Sequence, residues 1–205
     1  MKIKLIALLL AFISLLFINN TANAASTTKH IVVGDTNLVI EAPKGMCFVD
    51  KSSPSTALIH QRMLGRLSDD KHKQIIAIFT PCSILPSLSY DKIVSNFGYI
   101  SWIHPALEYP YNKTRNEFIL DTIKKYNKSG RKGLTKLDNG VATLIRSSTK
   151  VDYKIVDKIT LMAYTTVRNI PLEIKIKDSL KNFVSTEQAY NMLNNFINYQ
   201  IKINE

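Results

Sequence analysis

The sequence predicts an α+β fold: an antiparallel sheet packed by helices and closed by one disulfide. Three observations carry this. The last third holds three strand-like runs followed by one amphipathic helix, two capping boxes mark helix starts, and the chain contains only two cysteines, Cys47 and Cys82.

At the start, Lys2 and Lys4 precede an apolar run from Leu5 to Phe17, and Ala22-Asn23-Ala24 then gives the small-x-small pattern of a signal-peptidase site. Residues 1–24 are therefore expected to be a signal peptide, and residues 25–205 a single α+β domain, periplasmic or secreted after cleavage near Ala24. The apolar run is shorter than the ~20 residues that cross a bilayer, and later apolar stretches such as Ile75 to Phe79 are shorter still. No transmembrane helix is expected in the mature chain.

The segment Lys29 to Pro43 reads as a hairpin, with Ile31 to Val33 and Leu38 to Glu41 as strands around Gly34-Asp35. Pro43 stops the pairing. Ser53 suits a helix N-cap, Pro54 suits the first helical position, and Ile59, Met63, Leu64 and Leu67 share one face of a helix ending near Asp69-Asp70. Ile75 to Phe79 reads as a buried strand with Cys82 at its exit. A short helix around Tyr90 to Ser95 precedes Asn96 to Pro105, whose aromatic and β-branched residues suit a strand buried on both faces. A loop, His104 to Asn112, follows.

Thr114 and Glu117 form a Thr-x-x-Glu capping box, and Ile119, Ile123 and Tyr126 continue along one side of the helix that it opens. Gly130 and Gly133 end that helix. Val141 to Ser147, Ile159 to Val167 and Leu172 to Lys177 read as antiparallel strands. In the last, Leu172, Ile174 and Ile176 alternate with Glu173, Lys175 and Lys177, which predicts one buried and one wet face. Arg168 to Pro171 makes the turn. Ser185 with Gln188 is the second capping box, Val184 can staple onto Ala189, and Ala189, Leu193, Phe196, Ile197 and Ile201 form one apolar stripe that packs on the sheet.

In an oxidising compartment two cysteines favour one disulfide, Cys47 to Cys82. The alternative is a thiol nucleophile at Cys47, with His60, His72 or His104 as base. Asp69, Asp70 and His72 lack the spaced partners of a metal site, and neither a nucleophile elbow nor a phosphate-binding glycine loop occurs, so no metal and no cofactor is implied.

The chain carries a formal charge of +11, which falls to +9 once Lys2 and Lys4 leave with the signal. A basic exported protein meets anionic lipid or polymer before nucleic acid. Its densest cationic cluster is Lys124, Lys125, Lys128, Arg131, Lys132 and Lys136, either a solvated helix end and turn or a candidate contact for an anionic surface or a partner protein and for peripheral membrane contact. Within it, Ser129 to Lys136 resembles the Gly-x-x-Gly loop of KH domains, yet no nucleic-acid partner is expected of an exported chain. Tyr99, Trp102, His104, Tyr109 and Tyr111 are a second concentration, read either as core packing of the strand residues beside an ordered loop or as a candidate aromatic platform for a sugar, a peptide or a protein.

Pro43-Lys44-Gly45-Met46-Cys47 with Asp50, followed by a second cysteine after the next apolar strand, resembles a class of uncharacterised secreted proteobacterial proteins. The order of elements is similar to that of the photosystem-II extrinsic subunit P superfamily, whose non-photosynthetic members are mainly binding or assembly modules. The resemblance implies an α/β/α sandwich and carries over no catalytic residue. The expected function is a non-enzymatic binding or assembly module that contacts a protein or an anionic envelope component. The alternatives are a small secreted enzyme using Cys47, His60 and His104, and a secreted effector or toxin-neutralising protein.

Overall fold

The computed structural model describes residues 26–51, 54–67, 72–87, 97–103, 113–130, 133–151, 154–179 and 185–205. In chain order these hold β1 (Thr28–Val33), β2 (Thr36–Glu41), β3 (Met46–Phe48), α1 (Pro54–Leu67), β4 (Lys73–Pro81), a 3-10 turn (Cys82–Ser87), β5 (Phe97–Ile103), α2 (Arg115–Lys128), β6 (Thr135–Lys136), β7 (Val141–Val151), β8 (Lys154–Val167), β9 (Ile170–Ser179) and α3 (Thr186–Lys202). The fold is α+β, as the sequence predicts. Seven strands form an antiparallel sheet in the order β3-β4-β5-β9-β8-β7-β6, and β1 and β2 form a separate hairpin.

The hairpin pairs Thr28 with Glu41 through to Val33 with Thr36, and Gly34 takes the left-handed conformation its turn requires. Beyond Pro43 the structure adds a strand that the sequence reading did not contain. Met46–Phe48 pairs with Pro81 back to Phe79, after a turn in which the Met46 N–H donates to the Pro43 carbonyl. Three residues are too few to show a period of two, so only the partner strand makes this segment β. The disulfide lies at this edge. Cys47 and Cys82 are bonded with their Cα atoms 4.9 Å apart, tying β3 to the turn that leaves β4.

All seven residues of β5 are buried, as expected for a strand covered on both faces. Its even-numbered members, Ile100 and Trp102, join Phe79, Leu161, Ala163, Leu172, Ile174 and Ile176 in one core, which α3 covers with Leu193, Phe196 and Ile197. On the opposite face Ile78, Phe97 and Tyr99 pack with Ile59 and Met63 of α1, and Ile103 packs with Phe118 of α2. Helices thus lie on both faces of the sheet. Gly98 makes room for the ring of its cross-strand partner, because a Cβ there would collide with a ring carbon of the fully buried Phe79.

Two expectations change in detail. The β8–β9 turn is tighter than Arg168 to Pro171: Arg168 and Asn169, both at positive φ, make a two-residue hairpin turn, and Pro171 already pairs with Thr166. The wet face expected on β9 is also covered, since it is the face on which α1 and α2 pack. Glu173 is only 1% exposed, and Lys175 and Lys177 are half-buried. The expected Ser53 cap, the helix around Tyr90, the loop from His104 and the Val184 staple lie outside the described residues.

The hairpin docks on α3 through amides. The Val39 N–H donates to Asn204 Oδ1 at 2.8 Å, and Asn204 Nδ2 returns a bond to the Val39 carbonyl at 2.7 Å. Gln200 does the same for Glu41, at 3.1 and 3.0 Å. Spaced four residues apart, the two side chains lie on one side of the helix terminus and supply β2 with the partners that a neighbouring strand would give.

Two outcomes follow. The disulfide closes a span of 35 residues, so reduction is expected to lower stability by about 3 to 4 kcal/mol in urea denaturation, and an unchanged midpoint would contradict the tie. Gly98→Ala is expected to cost about 1 to 3 kcal/mol in the same assay, because the fully buried Phe79 ring would have to shift.

Candidate functional site

The cationic cluster is built by α2. Thr114 Oγ1 accepts the Glu117 N–H, Glu117 Oε2 accepts the Thr114 N–H at 2.7 Å, and the capping box read from the sequence is complete. Those bonds hold the Glu117 carboxyl below the usual carboxylate range, the backbone N–H of Thr114 being the main cause. Lys113 pairs with Asp121 across the first two turns. Phe118, Ile119 and Thr122 are buried, which turns Lys124, Lys125 and Lys128 outward over the last turns, where cations oppose the helix dipole. Lys136 is exposed on β6. Arg131 and Lys132 lie outside the described residues.

The aromatic concentration divides differently. Tyr99 and Trp102 are 7% and 8% exposed within β5, so neither ring forms part of an open platform. Tyr99 instead stacks with Phe97 at 6.2 Å between centroids and receives the Lys175 ammonium 5.4 Å above its ring. Both rings belong to the strand that the sequence reads as buried on both faces, and for them that reading holds over the platform. His104, Tyr109 and Tyr111 lie outside the described residues.

Cys47 is buried and bonded to Cys82, so it offers no thiolate, and the nucleophile alternative ends there. Asp69 and Asp70 lie outside the described residues. Among the described residues no group of three or more His, Cys, Asp or Glu could hold a metal ion.

The structure assembles two titratable groupings that the linear reading missed. On the covered face of β9, Glu173 accepts from Lys73 Nζ at 2.8 Å and lies 3.8 Å from Lys175 Nζ, so a buried carboxylate is matched by two partly buried ammonium groups. Elsewhere, half-buried His60 on α1 faces Lys29, Lys51 and Asp50. Burial pushes the His60 imidazole down, Lys29 and Lys51 add to this, and Asp50 opposes it. Burial also pushes Lys29 down against Asp50, while its Nζ donates to the Ile76 carbonyl at 3.5 Å. These residues come from three separate segments, so no spacing in the chain announces them.

Two of the open grooves among the described residues lie against α3 and the residues that follow it. The larger, with a cavity volume of about 470 Å³, runs between β6 and the first turns of α3. The smaller, about 280 Å³, is lined by Arg115, Arg168, Asn204 and Glu205. Nothing in the linear reading pointed to them, although the asparagines at 191, 194, 195 and 198 on one helix were a visible signal for the first. No described helix is long and apolar enough to cross a membrane. Compared with family models, curated proteins and solved structures, the chain matches none of them.

His60 gives a pH prediction. Because its folded-state pKa is lowered, the unfolded chain takes up the proton first as pH falls, so this contribution to stability is complete above the ordinary histidine range and is lost on acidification. Stability should therefore decline between about pH 7 and 5, and His60→Gln should flatten that slope in urea titrations. An equal slope in both proteins would remove His60 as the cause.

Proposed function

We propose that residues 1–24 direct export and that the released chain is a non-enzymatic binding module, fastened by Cys47–Cys82, whose basic surface contacts an anionic, phosphate-bearing component of the cell envelope. The observation that carries this reading is the outward display of Lys124, Lys125 and Lys128 on the last turns of a helix whose other face is anchored by Phe118 and Ile119. A rigidly based row of ammonium groups gains from a charged surface without first having to be ordered.

The disulfide fits an oxidising compartment, and the excess of Lys and Arg fits an anionic partner. The binding or assembly role implied by the resemblance noted above agrees with this. Oxidised Cys47 weakens the enzyme alternative, because it removes the one nucleophile that reading had named.

Each ammonium near an anionic surface contributes about 1 kcal/mol, so three together are worth roughly a hundredfold in partitioning. The mature chain should therefore sediment with phosphatidylglycerol-containing vesicles at low salt, and the triple variant Lys124→Gln/Lys125→Gln/Lys128→Gln should lose about that factor. Equal binding to neutral phosphatidylcholine vesicles, or an unchanged variant, would sink the reading. Cell fractionation with N-terminal sequencing tests the export half, with Ala25 the expected first residue.

A further inference from the structure

The larger groove has a built floor. Asp138 Oδ2 accepts from Asn194 Nδ2 at 2.7 Å and from Asn198 Nδ2 at 3.2 Å, while the Asp138 N–H donates to Asn194 Oδ1 at 3.1 Å. Behind it, Asn198 Oδ1 accepts from Asn139 at 2.9 Å, and Asn139 in turn accepts from the Arg115 guanidinium at 3.2 Å. This relay fixes the Asp138 carboxylate through Oδ2, holds its carboxyl below the usual range through the Asn194 and Asn198 amides, and leaves Oδ1 outside these bonds on an exposed residue that lines the groove.

The walls supply the rest. Thr135 and Lys136 line one side, and Thr186, Glu187, Tyr190 and Asn191 line the other. Tyr190 is half-buried against the core, so its ring is held in place, whereas Glu187 and Asn191 are exposed. One cation stands against two carboxylates, which disfavours phosphate or carboxylate ligands even on a chain of +11. What remains is a fixed acceptor, amides and hydroxyls that both donate and accept, and an anchored aromatic ring. A pyranose matches that set, with paired hydroxyls for the carboxylate and amides and a C–H face for the ring. The volume of about 470 Å³ lies within the range of small-ligand sites.

We infer that the groove between β6 and the N-terminal half of α3 is a saccharide-binding site, in which Asp138 and Asn191 grip the hydroxyls of an uncharged sugar ring beside Tyr190. The site is separate from the cationic surface of α2 and does not rest on the export reading. The test titrates the chain 25–205 with glucose, galactose, mannose and N-acetylglucosamine and their short β-1,4 or α-1,4 oligomers, read by saturation-transfer and amide-shift NMR. At least one sugar should saturate below about 10 mM, with shifts at the Asp138 and Asn191 amides, and Asp138→Asn and Asn191→Ala should each weaken it by about tenfold or more.

Asn191 is exposed on α3, so its variant should keep the parent melting temperature and far-UV spectrum even where Asp138→Asn perturbs the floor. The triple lysine variant of α2 should bind the sugar as the parent does, which separates this site from vesicle binding. Silence from every sugar in the panel, or binding that survives Asn191→Ala unchanged, would overturn the assignment.

Discussion

Everything else in the structure depends on β5 being buried on both faces. A strand with no polar face cannot sit at the edge of a sheet or turn one side to water. Phe97 to Ile103 therefore lies between β4 and β9, with α3 below it and α1 and α2 above. Gly98 marks the tightest point, where the Phe79 ring occupies the space of the missing side chain and meets Phe196 of α3 with ring centres 6.4 Å apart.

The periphery is held by more specific bonds. The disulfide fastens β3, which is too short to hold its place by pairing alone, and the Gln200 and Asn204 amides give β2 the partners that a further strand would have supplied. Both devices act at strand edges, where backbone groups would otherwise face water or another chain. The covered face of β9 follows the same economy. Once α1 and α2 lie over the sheet, Glu173 cannot reach water, and Lys73 and Lys175 supply the charges that make its burial tolerable.

The two surfaces offered for function rest on opposite electrostatics. The end of α2 gathers cations that water still reaches, and it suits a partner met over an area and weakened by salt. The groove at α3 holds a carboxylate fixed by two amides, with its charge spread through a relay that reaches Arg115, and it suits a small polar ligand met atom by atom. Lys136, on β6, lines the groove and not the row of ammonium groups on α2.

The local code of the sequence determined the elements that local forces decide. The capping box at Thr114, the apolar stripe of α3 from Ala189 to Ile201, and the hairpin around Gly34 each depend on neighbours within a few residues, and each is legible in a linear reading. The pairing of Cys47 with Cys82 was also legible, because two cysteines leave a single intramolecular partner. Tertiary structure alone decided that the second face of β9 is covered as well, that Met46–Phe48 is a strand, and that Asp138, Asn194 and Asn198 meet. Each of those depends on a contact between segments far apart in the chain, and alternation or charge along one segment holds no information about what packs against it.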